Sequence, residues 1–149
     1  MTPFPALCNG DLDGGGWIVI QKRFDGSINF NRSWTEFRNG FGQLHGEFFI
    51  GLDKLHHITN TQPYELYIQV EEFMGEAGFA SYDNFKIGNE ASQYKLESLG
   101  DFRGTLSNQM MFGMKQKFTT YDHQNDQTRY IDCDPEWFGA WWHKDCNGP

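Results

Sequence analysis

The sequence predicts one α+β domain over residues 1–149, built on antiparallel strands with short helices and a loop-rich region near its C-terminal end. Three stretches carry that prediction. Residues 63–73 alternate Leu66, Ile68 and Val70 with Tyr67, Gln69 and Glu71, the period of a strand with one buried face. Ser33-Trp-Thr-Glu36 has the form of a capping box that opens a helix. Residues 118–146 have neither period. They place oxygen-bearing side chains at Asp122, Gln124 and Asp126, then set Trp137, Phe138, Trp141 and Trp142 between Cys133 and Cys146. That composition suits a ligand-presenting loop beside a hard cation, because alternate oxygens on a tight loop are what such ions require.

Taken in order, Asp11-Leu-Asp-Gly-Gly-Gly16 is a turn feeding a strand over Trp17–Arg23, rich in β-branched residues. The three glycines lack the Gly-Lys-Ser/Thr of a phosphate loop. Asp25-Gly26 marks another turn. A helix follows from Trp34 to Asn39 and stops at Gly40, and Leu52, Leu55 and Ile58 space a second short helix. His56 and His57 are adjacent and point to different helix faces, which is not the four-residue spacing of a helical zinc pair. After residues 63–73, Gly75-Glu-Ala-Gly78 reads as a hairpin turn. Residues 79–87 and 94–99 then continue an antiparallel meander. Residues 101–116 are less regular, and their methionines are read as core gap-fillers. Glu71, Glu72 and Glu76 are explained by a solvated strand end and turn.

Composition narrows the function. A net charge of −8 without a Lys/Arg run disfavours nucleic acid and anionic membranes, since phosphate binding needs clustered cations. No apolar stretch is long enough to span a bilayer, so membrane insertion is not expected. The start, Met1–Cys8, has neither the basic nor the apolar region of a secretory signal. His45, His56, His57, His123 and His143 are candidate bases for an enzyme, yet no Gly-x-Ser-x-Gly and no recurring metal-ligand spacing accompanies them. The three cysteines are open to two readings: three reduced thiols, or one bridge with one thiol left over. Asn31-Arg-Ser33 has the form of an N-glycosylation acceptor, and Ser33 is also the helix cap.

Read together, Asp13-Gly-Gly-Gly-Trp-Ile-Val-Ile-Gln21, Asp25-Gly-Ser27, Phe30-Asn-Arg-Ser-Trp34, Gly40-Phe-Gly42, Gly51-Leu-Asp-Lys-Leu55, Tyr82-Asp83, Phe118-Thr-Thr120, Cys133 and Trp141-Trp142 before Cys146 form an ordered set of landmarks. In that order they resemble the fibrinogen C-terminal globular domain, the module of fibrinogen chains, ficolins, tachylectins and angiopoietin-like proteins, in its invertebrate style. The resemblance implies a non-catalytic, secreted recognition module in an oxidising compartment. Lectin-like binding of acetylated sugars or pathogen-surface glycans in innate immunity is one implied role. A protein receptor, met in the manner of fibrinogen or the angiopoietins, is the alternative, and oligomerisation would run through regions outside this chain.

The resemblance also implies particular residues. A Cys133–Cys146 bridge is expected, with Cys8 unpaired because its family partner lies upstream. Closing so short a loop stabilises a fold by roughly 3 kcal/mol on the chain-entropy model. Calcium is expected at Asp122, Gln124 and Asp126 with the backbone carbonyls near Thr128 and Tyr130. Binding should be weak, since Gln124 stands where the family has a carboxylate and the run to Cys133 is one residue longer. The ligand cleft is expected at Asp145, Cys146 and Asn147, with a cis peptide before Cys146, Asn147 in place of a histidine, and Trp142 as wall or support. Against the family pattern both ends appear clipped. The resemblance thus implies an open edge on the central sheet, a tendency to associate, and weak or no sugar binding by this chain alone.

Overall fold

The computed structural model describes residues 1–125 and 139–144. The fold is mixed α+β and mostly sheet, and its pairings are antiparallel. Strand β1 (Leu7–Asn9) pairs with β2 (Trp17–Val19) in the register Cys8 opposite Ile18. The glycine-rich turn between them is tied down by Asn9, whose Oδ1 accepts the N–H groups of Asp11 and Leu12 at 2.9 and 3.1 Å. The single strand expected over residues 17–23 divides. Its second part, β3 (Gln21–Lys22), leaves the first sheet and pairs with β5 (Phe48–Phe49), which also pairs with β4 (Phe41–Gly42). The Ile20 carbonyl at the break accepts the Ile50 N–H at 2.9 Å, so a long-range partner moves the chain between sheets.

Helix α1 (Trp34–Asn39) follows its local signals closely. Ser33 Oγ accepts the Glu36 N–H at 3.2 Å, and the chain leaves the helix at Gly40 with φ of 89°. Trp34 and Phe37 turn into the core. Helix α2 runs Leu52–Thr61, past the expected end at Ile58. Its last turn is held from outside, because Asn60 Nδ2 donates to the Ile87 carbonyl at 2.8 Å. His56 serves the same junction, its Nδ1 lying 3.0 Å from that carbonyl. The two helices meet where Gly40 and Gly51 let their backbones touch. A Cβ on Gly40 would stand 2.8 Å from the carbonyl carbon of Ile50, and one on Gly51 2.8 Å from that of Asn39.

The central sheet has the order β10-β7-β6, with β6 (Leu66–Glu71), β7 (Ala77–Tyr82) and β10 (Phe102–Gly104). The β6–β7 hairpin is the expected one, although its turn lies at Glu72–Glu76. Two expectations change. The 94–99 segment does not join this sheet: β9 (Leu96–Ser98) pairs apart with β8 (Lys86–Ile87), and the third central strand comes from the segment read as irregular. The alternation along β6 also fails to predict burial. Leu66 and Ile68 pack on the core, but Val70 is exposed, while Tyr67 lies between the rings of Trp17 and Phe79 at 5.3 and 5.4 Å. Alternation assigns a residue to a face, and whether that face is covered depends on what lies above it. Of the methionines, Met110 fills the core as expected, and Met111 is exposed.

The core sits where α1, α2, the β8–β9 pair and the later loops converge, on Phe37, Leu52, Leu55, Tyr82, Ile87, Tyr94, Leu96, Phe118 and Trp142. A cleft of about 860 Å³ opens elsewhere, between the first hairpin and the outer strand β6, lined by Leu7, Trp17, Ile20, Leu55, Tyr64 and Tyr67. Among the described residues none of the candidate site residues lines it.

Glu47 is a buried acid, 2% exposed, and it anchors the loop after β3. Its Oε1 accepts the N–H groups of Phe24, Asp25 and Gly26 at 2.7, 2.9 and 2.8 Å, and its Oε2 that of Ile28 at 3.0 Å. These four donors favour the ionised form and hold the carboxyl down at about 2, from an ordinary 4.5. A depressed folded-state pKa means that the stabilisation is complete above the unfolded value and is lost as pH falls through the folded one. Thermal unfolding should therefore lose stability between about pH 4.5 and pH 2. Glu47→Gln should be less stable at neutral pH and flatter across that window; an unchanged acid profile would show that other groups govern it. Gly40→Ala should lower stability by about 1–3 kcal/mol in chemical unfolding, since it combines a left-handed φ with a backbone clash.

Candidate recognition site

Two loops, 118–125 and 139–144, lie side by side over a short segment that contains Gln93 and Tyr94. Both residues adopt a left-handed backbone, with φ of 62° and 50°. Such a conformation costs an ordinary side chain of order 1–3 kcal/mol when enforced, and the surroundings here enforce it. The Gln93 carbonyl accepts the Phe118 N–H at 2.9 Å. The Gln93 side-chain oxygen meets His123 Nε2, and Asn125 Nδ2 donates to it at 3.4 Å. The Tyr94 carbonyl accepts the indole N–H of Trp142 at 2.7 Å. One distorted dipeptide thereby positions both loops.

Tyr94 is fully buried. Its ring packs on Trp34 at 5.5 Å, and its hydroxyl donates to Asp53 Oδ1 at the start of α2. Burial, then the Asp53 hydrogen bond, pushes this phenol well above its ordinary range, so it stays a neutral donor. Phe118 fills the space between Trp34, Phe37 and Trp142. The loops are also paired to each other, through Thr119 N–H to the Trp141 carbonyl at 2.8 Å and the reverse bond at 3.1 Å. Thr120 and His123 close a tight turn by two reciprocal bonds of 3.1 Å. His123 then stacks on Trp34 with ring centroids 4.1 Å apart.

Trp142, expected as wall or support of the cleft, is held inside the protein. It is 4% exposed, packed edge-to-face with Phe118, and its indole N–H is bonded to the Tyr94 carbonyl. Trp141 is half-buried and packs against it at 5.2 Å. Asp122 has a structural task besides the one expected. Its Oδ1 accepts the Trp34 N–H at 2.8 Å, at the open N-terminus of α1, and the Thr120 hydroxyl at 2.8 Å. Gln124 is exposed. Of the expected calcium ligands, Asp122 and Gln124 fall within the described residues, and such an ion takes six to eight oxygens. Among the described residues no group of three or more His, Cys, Asp or Glu is placed to hold a metal. Asp126, Thr128, Tyr130, Cys133, Asp145, Cys146 and Asn147 lie outside the described residues, and with them the bridge, the cis peptide and the cleft. Cys8 is a free, exposed thiol. The framework roles of Gln93, Tyr94, His123 and Asn125 were missed, because the bonds from the Gln93–Tyr94 pair to His123, Asn125 and Trp142 cross 30, 32 and 48 residues. Only the left-handed dipeptide had no sequence sign at all.

An antiparallel α+β fold whose aromatic core holds two polar loops at one place is a scaffold for loop-borne recognition. A family model, fibrinogen beta and gamma chains, C-terminal globular domain, matches residues 1–148, and the chain belongs to that family. It is 41% identical over 141 residues to Tenascin-R of Gallus gallus, covering 95% of this chain and 10% of that one. It is 39% identical over 143 residues to human Ficolin-3, covering 95% and 47%. The lamprey fibrin D-dimer, solved with the peptide ligand Gly-His-Arg-Pro-amide, superposes with a TM-score of 0.89 at 30% identity, covering 97% of this chain and 50% of that one. The chain spans less than half the length of these two curated relatives.

The Asp122 contacts give a test that needs no metal. In metal-free buffer Asp122→Ala should lose about 0.5–2 kcal/mol of stability, the usual cost of a lost N-terminal cap. Asp122→Asn keeps an acceptor oxygen and should lose much less. Equal losses in chemical denaturation would count against capping.

Proposed function

We propose that this chain is part of a secreted, non-catalytic recognition module of the lectin type, taking acetylated sugars or pathogen-surface glycans. The observation that carries the reading is the anchoring of Ala140–Lys144 through Trp142 to Tyr94 and Phe118. This segment leads directly to Asp145, Cys146 and Asn147, the candidate ligand residues. A binding loop must be held rigidly to avoid a large ordering cost on binding, and two buried aromatics with a hydrogen bond supply that rigidity. Weak calcium binding by Asp122, Gln124 and Asp126, with the carbonyls near Thr128 and Tyr130, belongs to the same reading. The similarity to Ficolin-3 supports it.

A second reading, a protein-interaction ligand, is favoured by the similarity to Tenascin-R and by the peptide held by the lamprey fibrin relative. Extracellular location goes with either reading. No helix among the described residues is long and apolar enough to cross a membrane.

The two readings part on a glycan array. Displayed multivalently to compensate for weak single sites, the chain should be retained on acetylated sugars over their deacetylated counterparts, and less so in chelator. Retention that ignores acetylation, or none at all alongside capture of a matrix or receptor protein, would favour the second reading. In calorimetry Gln124→Asp should tighten calcium binding by restoring a carboxylate; an unchanged affinity would remove residue 124 from the ligand set.

A further inference from the structure

The loop between β3 and α1 carries Asn31-Arg32-Ser33, and no other asparagine of the chain stands two residues before a serine or threonine. The three side chains have different surroundings. Arg32 folds back on the protein: its Nε donates to the Asn29 carbonyl at 2.6 Å, its guanidinium pairs with Glu36 at 2.8 Å, and it lies over the Phe41 ring at 5.0 Å. Ser33 caps α1. Asn31 is exposed. Its backbone N–H is bound to Asn29 Oδ1 at 2.8 Å, and among the described residues its side-chain amide makes no hydrogen bond. The contacts that order the loop thus come from Asn29, Arg32 and Ser33, and among the described residues none of them uses the Asn31 side-chain amide.

We propose that Asn31 is an N-glycosylation site, modified through its Nδ2. The acceptor triplet supplies what a lumenal transferase reads, an amide with a hydroxyl two residues on. The Asn31 Nδ2 forms a bond to the anomeric carbon of a lipid-diphosphate-linked oligosaccharide. The bond from that carbon to the diphosphate breaks, the lipid diphosphate leaves, and Nδ2 gives up one proton. Modification precedes folding, so the folded chain must then carry the sugar at no cost. It does so here, because Asn31 is exposed and, among the described residues, its side-chain amide makes no hydrogen bond that a sugar would break. Ser33 serves twice in sequence, as the hydroxyl of the acceptor in the nascent chain and as the α1 cap afterwards. The proposal rests on the secreted reading for its natural setting.

The test separates the two. The chain is expressed in cultured animal cells behind a cleavable secretory leader, which delivers it to the lumen whatever its natural address. Secreted and cell-retained fractions are both read by intact mass and by gel mobility before and after peptide N-glycosidase. Wild type should carry one N-glycan, and enzymatic removal should leave Asp at position 31. Asn31→Gln should carry none. Ser33→Thr, which preserves both acceptor and cap, should remain glycosylated, and Ser33→Ala should lose the glycan. An unmodified wild-type chain in both fractions, or a glycan that persists in Asn31→Gln, overturns the proposal. Neither result touches the recognition reading, which fails or stands on the glycan array.

Discussion

The placing of loops 118–125 and 139–144 depends on one buried tyrosine. Tyr94 is fully buried against Trp34, its hydroxyl is bonded to Asp53 on α2, and its carbonyl holds the Trp142 indole. A buried carbonyl or phenol without a partner costs about 1–3 kcal/mol, so each bond constrains the group opposite it. Through Asp53 the tyrosine is tied to a helix, through its ring to α1, and through its carbonyl to loop 139–144. Its neighbour Gln93 takes the other loop, by its carbonyl to Phe118 and by its side chain to His123 and Asn125. The left-handed backbone at both residues is what lets consecutive carbonyls face different loops.

The N-terminal half uses a different device. There the loop after β3 has few apolar groups to bury, and it is ordered by a carboxylate that gathers four backbone N–H groups. Such a nest satisfies donors that would otherwise be stranded next to the core. The two halves are joined at α1. Its N-terminus is capped from within by Ser33 and from far along the chain by Asp122, its inner face supplies Trp34 and Phe37, and its end passes within backbone contact of the start of α2. Loop 118–125 is therefore built on the helix as well as on Tyr94.

Asp122 illustrates how a residue can carry a structural role that its sequence setting does not show. Alternate oxygens in a polar loop marked it as a cation ligand, and the same oxygen-bearing chain holds the N–H of Trp34. The family's chemistry was readable from Phe118-Thr-Thr120 and Trp141-Trp142 because these are contiguous runs. Their support was not. Trp142 reaches a carbonyl 48 residues away and Asp122 an N–H 88 residues away. Nothing in the chain near Tyr94 announces that its carbonyl will face an indole.

By itself the sequence determined those features whose physics is local. The capping serine, its glutamate three residues on and the stop at Gly40 settle α1. The period of two settles the β6–β7 hairpin, and ordered landmarks settle the family. Only the tertiary structure decided which strands share a sheet, which face of β6 is covered, and which aromatics support the site. The break at Ile20, the exposure of Val70 and the addition of Phe102–Gly104 to the central sheet turn on partners brought from elsewhere in the chain. Local propensity cannot encode them, because the free energy resides in pairs of groups that meet only once the chain has folded.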